Sequence, residues 1–201
     1  MQTRSFRLYF LLSITAMLAF SSCKKDDPID QGTEPSLIFR FAFDPNQERL
    51  DNLGQPSEIG EGNAAQSPSF NSISAHYLEL SEDMWTQLGE GELLYEGPQT
   101  NAGGADAIDF SESSVVAEGE NFLSVPLSNV NNGTYEWLRV SLSYQNFDIT
   151  YLSDFGQLEG TLAGFIGFNT YIEDFVINEE SVDVFENKLQ GFWGFETVGL
   201  T

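Results

Sequence analysis

The feature that most constrains this chain is its two-residue rhythm. Apolar side chains recur at every second position in short runs, and clusters of Gly, Pro, Asn and Ser break those runs at intervals of roughly 8 to 15 residues. Helical periodicity is almost absent. Such a pattern specifies half-buried strands joined by turns, and about nine or ten of them predict an all-β antiparallel β-sandwich. The first run places Leu37, Phe39, Phe41 and Phe43 on one side. In the second, residues 70–80, Ile73, Ala75 and Tyr77 alternate with Ser72, Ser74 and His76. Further strands are expected at 92–96, 107–110, 144–152, 158–168, 171–177, 181–185 and 189–197, with one helical turn over 79–88 closed by Gly89 and Gly91. Glycines beside aromatics, as in 158–168 and Gly191 to Phe195, mark places where backbones approach closely or a sheet bends.

The strongest local signal lies at Asn132-Gly133, the preferred pair for a two-residue type I′ turn. A hairpin set on that turn would pair Val130 with Tyr135, Leu127 with Leu138, Val125 with Val140 and Leu123 with Leu142, the last three, aliphatic pairs, falling on one side. Pro126, which has no N–H to donate, would confine residues 122–130 to a sheet edge or a bulge.

The chain has 201 residues, 17 of them Phe, and 41% are hydrophobic, enough for a core. There are 8 Lys+Arg against 31 Asp+Glu, a formal charge of -23. This balance repels nucleic acid and anionic lipid headgroups, so functions that need a basic patch are excluded. Acidity also keeps an exported domain soluble, and it attracts cations or basic partners.

The amino terminus sets the expected location. Arg4 and Arg7 precede an apolar run from Leu8 to Phe20, which ends on Ser21-Ser22 directly before Cys23, the only cysteine. The run is a secretory signal, shorter than the roughly 20 apolar residues a stable transmembrane helix needs. Phe20-Ser21-Ser22-Cys23 resembles the lipobox of bacterial lipoproteins, with Phe20 standing where Leu is usual. The following Lys24, Lys25, Asp26 and Asp27 resemble the export tag of surface-exposed lipoproteins in one group of Gram-negative bacteria. The resemblance implies a signal peptide over 1–22, a diacylglycerol on the Cys23 sulfur and an acyl chain such as palmitate on its amine, so that the protein is anchored to the outer membrane and faces outward. Several chains, at about 0.8 kcal/mol per methylene, make such anchoring essentially permanent. Cleavage would remove Arg4 and Arg7 and leave 6 Lys+Arg against 31 Asp+Glu, or -25. The lipid is the only covalent group implied, no cofactor is expected, and a lipidated Cys23 leaves no thiol for disulfides, metal binding or catalysis. Residues 23–35 form a flexible tether and 36–201 the sandwich domain. The sequence stops soon after its last strand with no polar tail, which suggests a shortened chain.

Candidate ligand positions are few. Asp44, Asn46 and Glu48 imitate the first three ligands of a calcium loop, but Arg49 stands where the sharp turn needs Gly and Gln55 replaces the closing Glu, so an Asp-Pro-Asn turn is expected. His76, the single histidine, would need carboxylates to complete a zinc or copper site. Trp137 and Trp193 become sugar-stacking positions if they face solvent, and Phe192 and Trp193 should point to opposite faces. The long loops at 54–69 and 98–106 carry no phosphate-cradle motif. The order of an aromatic first strand, a long polar loop, a tyrosine-bearing second strand and then Pro-Leu-x-x-Val-x-x-Gly-Thr-Tyr, Pro126 to Tyr135, resembles lipoprotein β-sandwiches similar to the methanobactin-partner copper-binding proteins. Their copper chemistry uses histidine, and here only His76 is available.

Three classes of function remain open. The leading one is a non-enzymatic surface lipoprotein that binds a ligand or partner, or joins an outer-membrane protein complex. The alternatives are a carbohydrate-binding module of a glycan-uptake system and a copper- or calcium-binding protein. A hydrolase is disfavoured, since no G-x-S-x-G is present and carboxylate pairs are trivially frequent among 31 acids. The sequence does not indicate an oligomeric state.

Overall fold

The computed structural model describes residues 34–189 and 191–197. The signal, the lipobox with Cys23 and the tag at Lys24, Lys25, Asp26 and Asp27 lie outside them. Residues Pro35–Thr201 form one compact unit, and among the described residues the fold is all-β and sandwich-like. Its strands, in chain order, are β1 (Ser36–Phe39), β2 (Ser69–Ser81), β3 (Glu92–Glu96), β4 (Gln99–Thr100), β5 (Ala107–Asp109), β6 (Leu123–Pro126), β7 (Trp137–Ser153), β8 (Gly156–Phe165), β9 (Thr170–Ile177), β10 (Glu180–Lys188) and β11 (Trp193–Thr197).

They form three sheets. A five-stranded sheet runs β11-β8-β7-β2-β3, a four-stranded one β10-β9-β5-β4, and β1 pairs with β6 alone. Every pairing is antiparallel except β5 with β9, so the four-stranded sheet is mixed. Successive residues of a strand point to opposite faces, and the five-stranded sheet uses both. On one face Tyr144, Ala163 and Phe165 pack against Ile172, Phe175 and Ile177 of the four-stranded sheet. Phe165, fully buried, is edge-on to Phe110 at 4.8 Å and to Phe175 at 5.1 Å, the geometry that a ring's negative face and positive edge favour. On the other face Ile73, Ala75 and Leu78 join Val116 and Phe122, with Phe39 of β1 and Leu123 of β6 closing over them. The central sheet is thus covered on one face by β4, β5, β9 and β10, and on part of the other by β1 and β6.

The glycines beside aromatics do mark close approach. A side chain on Gly194 would meet Ile177 at 2.5 Å and the Phe175 ring at 3.2 Å, and one on Gly160 would meet the Phe195 ring at 2.5 Å. The alternation read for residues 70–80 breaks at His76, where a bulge in β2 leaves Ala75 opposite Leu142 and Tyr77 opposite Ser141. Tyr77 therefore leaves the face that Ile73 and Ala75 share.

The expected hairpin at Asn132-Gly133 does not form. Neither residue has positive φ, residues Leu127–Asn129 make a 3-10 turn, and β6 pairs with β1, placing Val125 opposite Leu37 and Leu123 opposite Phe39. Strand β7 pairs with β2 instead, Leu138 opposite Leu80 and Val140 opposite Leu78. The physical reason is Arg139. The hairpin would have set it against Pro126, which offers it no charge, whereas on β2 it stands opposite Glu79 and closes an ion pair. The aliphatic pattern satisfied both pairings, but only one of them also neutralised the buried carboxylate. Pro126 does lie at an edge, with β1 as its partner strand.

Candidate functional site

The cover over the central sheet is incomplete, and the uncovered part is aromatic. Following the register across the sheet, Phe70 of β2 stands opposite Phe147 of β7, Phe147 opposite Leu162 of β8, and Leu162 opposite Phe195 of β11. Cross-strand partners share a face, so these four form one row. Phe43 extends it, stacked on Phe70 with ring centroids 3.5 Å apart and planes 5° from parallel. Tyr151 leans edge-on to Phe195 at 5.3 Å, and its hydroxyl hydrogen-bonds to Thr197 Oγ1 at 2.5 Å. Trp193 lies two residues before Phe195 and hence on the same face, 61% exposed. Gly160 on β8 provides room for the Phe195 ring, and Gly164 stands opposite Trp193 in the register.

At its Phe43 end the row runs into a groove of about 1250 Å³ between the loops that follow β1 and precede β2. Phe43 and Phe70 form its apolar wall, and Asp44, Glu48, Arg49, Glu58 and Glu118 supply the charge. The loop is held by Gln66, whose amide Nε2 donates to the Thr150 carbonyl at 2.7 Å while its Oε1 accepts from the Thr150 N–H at 2.9 Å. This side-chain clamp continues the β2 to β7 ladder past its last backbone rung at Ser69 and Asp148. Glu118 Oε1 accepts the Phe43 N–H at 3.0 Å, fixing the aromatic end of the row.

The expected site residues are not brought together. Asp44 and Glu48 line the groove, but Asp44 Oδ1 accepts the Asn46 N–H at 2.9 Å and its carbonyl accepts the Gln47 N–H at 3.0 Å, so this is the Asp-Pro-Asn turn. Among the described residues no three His, Cys, Asp or Glu side chains converge as metal ligands. His76 sits at the β2 bulge with its ring 6.3 Å from that of Phe168, and its Nδ1 is buried with no hydrogen-bond partner. Burial holds its pKa below the usual value of 6.5, opposed by the nearby Leu142 carbonyl and by the charge of Glu96. Trp137 and Trp193 are both exposed but far apart: Trp137 is opposite Ser81, whereas Trp193 reaches β7 through Gly164 at Gln145. The stretch of β7 from Trp137 to Gln145 is roughly 26 Å at about 3.3 Å per residue. One sugar chain of a few units would not stack on both. As expected, Phe192 and Trp193 point oppositely, Phe192 into the core around Phe165 and Trp193 to solvent.

Of the row, the sequence points only to Trp193 as a site residue; Phe43, on the apolar side of the first run, also packs against the core around Ile73, and Phe70, Phe147 and Phe195 carry no site signal of their own. The signal that identifies them is registration across four strands, and that needs the pairing to be known. Comparisons with protein-family models, curated proteins and solved structures find no match for this chain.

Proposed function

We propose that the protein is a non-enzymatic binding protein, lipid-anchored through Cys23 at the outer-membrane surface, that holds its ligand along the aromatic row of the central sheet. The observation that carries this is the in-register line Phe70, Phe147, Leu162 and Phe195, half-buried as far as Leu162, open to solvent at Phe195 and at Trp193 beside it, and continuous with the groove. Pre-organised rings on a rigid sheet offer flat apolar area at low entropic cost. Carboxylates and the Arg49 guanidinium at the groove end supply polar groups to fix orientation. Apolar faces edged with hydroxyls suit this combination, so a glycan chain is the ligand class favoured. The lipid anchor and tag rest on the residues from Phe20 to Asp27, and they would keep the row outside the cell.

A pull-down on immobilised neutral polysaccharides tests the binding: retention of the full chain that is lost in Trp193→Ala supports it, and failure to be retained on any of them removes the glycan assignment. Mass spectrometry of the mature protein tests the location, with a diacylglyceryl group on an amino-terminal Cys23 expected and a free thiol refuting it.

A further inference from the structure

A second surface lies away from the aromatic row, at the loop between β2 and β3. Its backbone is fixed from below. Glu79, fully buried, accepts the Gly89 and Gly91 N–H groups at 3.0 and 2.6 Å, and Arg139, paired with Glu79, donates to the Thr86 carbonyl at 2.7 Å. Asp83 Oδ1 accepts the N–H groups of Trp85 and Thr86 at 2.7 and 2.9 Å. A loop tied down this thoroughly would be expected to tuck its apolar side chains in. Instead it holds Trp85 82% exposed, with Leu88 and Met84 also in solvent. Beside Trp85 is a hollow of about 450 Å³ with Tyr135 on its wall and Glu82, Asp83, Glu90 and Glu92 around it.

We propose that this loop is a docking surface for a basic protein segment, which seats an arginine or lysine side chain in the hollow against Trp85 and Tyr135. Charge complementarity selects the occupant. Among the described residues the ion pairs are Arg139 with Glu79 and Lys188 with Glu186, so no cation among them pairs with the four acids. Glu82 and Glu92 already act on the hollow, since their charges add to burial in raising the Tyr135 pKa. A guanidinium or ammonium over an indole is attracted to the ring face, and the surrounding carboxylates add to that attraction. Trp and Met are enriched at interface centres, and a rigid loop loses little entropy on binding. This surface is independent of the proposed glycan row, because Trp85 and Trp193 belong to different elements and either can bind without the other.

The test uses the full-length chain in detergent, with the indole N–H resonances of its three tryptophans followed by NMR as a capped Gly-Arg-Gly peptide is added. The expected result is a saturable shift of the Trp85 resonance with Trp193 unmoved, about tenfold weaker for the isosteric citrulline peptide, and lost in the Glu82→Gln/Glu90→Gln double variant. Equal binding of the citrulline peptide, no saturable shift, retention of binding by the double variant, or unchanged peptide affinity in Trp85→Ala would overturn the proposal. Trp85 faces solvent, so its replacement leaves the fold intact, which circular dichroism checks.

Discussion

Arg139 of β7 stands directly opposite Glu79 of β2, and its guanidinium pairs with a carboxylate that has no solvent exposure. Burial alone would raise the Glu79 pKa. The Gly91 N–H, the Arg139 side chain and the Tyr77 hydroxyl outweigh burial and hold it below the ordinary glutamate value. Arg139→Met would leave that carboxylate charged and unneutralised, so it should cost about 3 kcal/mol in chemical denaturation and release the 82–91 loop. Glu79→Gln keeps an acceptor for the glycine N–H groups and should cost less, about 1 to 2 kcal/mol. An Arg139→Met protein as stable as the parent would show that the pair does not hold the two strands together.

Stability should fall with acid in two stages. The His76 pKa is below 6.5 in the folded chain. The unfolded chain therefore takes up the proton first as pH falls past about 6.5, and stability present above that pH is lost down to the folded value. Glu79 is likewise depressed below 4.5, so its contribution is present above 4.5 and is lost as pH falls through its folded value. Thermal melts of the parent and of His76→Gln between pH 7.5 and 5 isolate the first stage: the variant should lack it. Parallel curves would show that His76 does not titrate differently on folding.

Two glycine substitutions should have opposite characters. At Gly167 φ is +84° and an added Cβ would lie 2.3 Å from the Leu142 carbonyl, a backbone atom that cannot swing away, so Gly167→Ala should cost about 3 kcal/mol. At Gly160 the nearest obstacle is the Phe195 ring, a side chain 39% exposed, with the Glu196 carbonyl next at 3.1 Å. Gly160→Ala should lower the melting temperature less than Gly167→Ala does, while displacing Phe195 and weakening whatever binds the row. Matched melts and binding curves distinguish the two.

Phe185 occupies the left-handed region, φ 53°, where β10 bulges between Asp183 and Glu186, and its ring is exposed. The bulge twists an edge strand away from further pairing, at the cost of backbone strain. Phe185→Gly removes the strain and little packing, and should raise stability by about 1 kcal/mol. A loss of more than that would mean the ring makes a contact that stabilises the edge.

The all-β class and most strands were legible because period-two alternation survives wherever a strand buries one face; 92–96 was read to the residue. Strand pairing was less so. Leu123, Val125, Val140 and Leu142 satisfy a hairpin as well as they satisfy β1 with β6 and β2 with β7, and only the charge of Arg139 and the backbone of Asn132-Gly133 separate the two. The row itself was hidden for a related reason. Phe70, Phe147 and Phe195 are 48 to 77 residues apart in steps along the sequence, and their alignment is a property of register that no local window contains. Trp193 was legible alone, since Gly194 and Phe192 fix which way it points.

The most direct test of the account is affinity electrophoresis of the full chain and three variants through gels containing a retained neutral polysaccharide. The row predicts that Trp193→Ala and Phe195→Ala each weaken retention about tenfold, while Trp137→Ala, at the other end of β7, leaves it unchanged. Retention that depends on Trp137 and ignores Trp193 and Phe195 would contradict it.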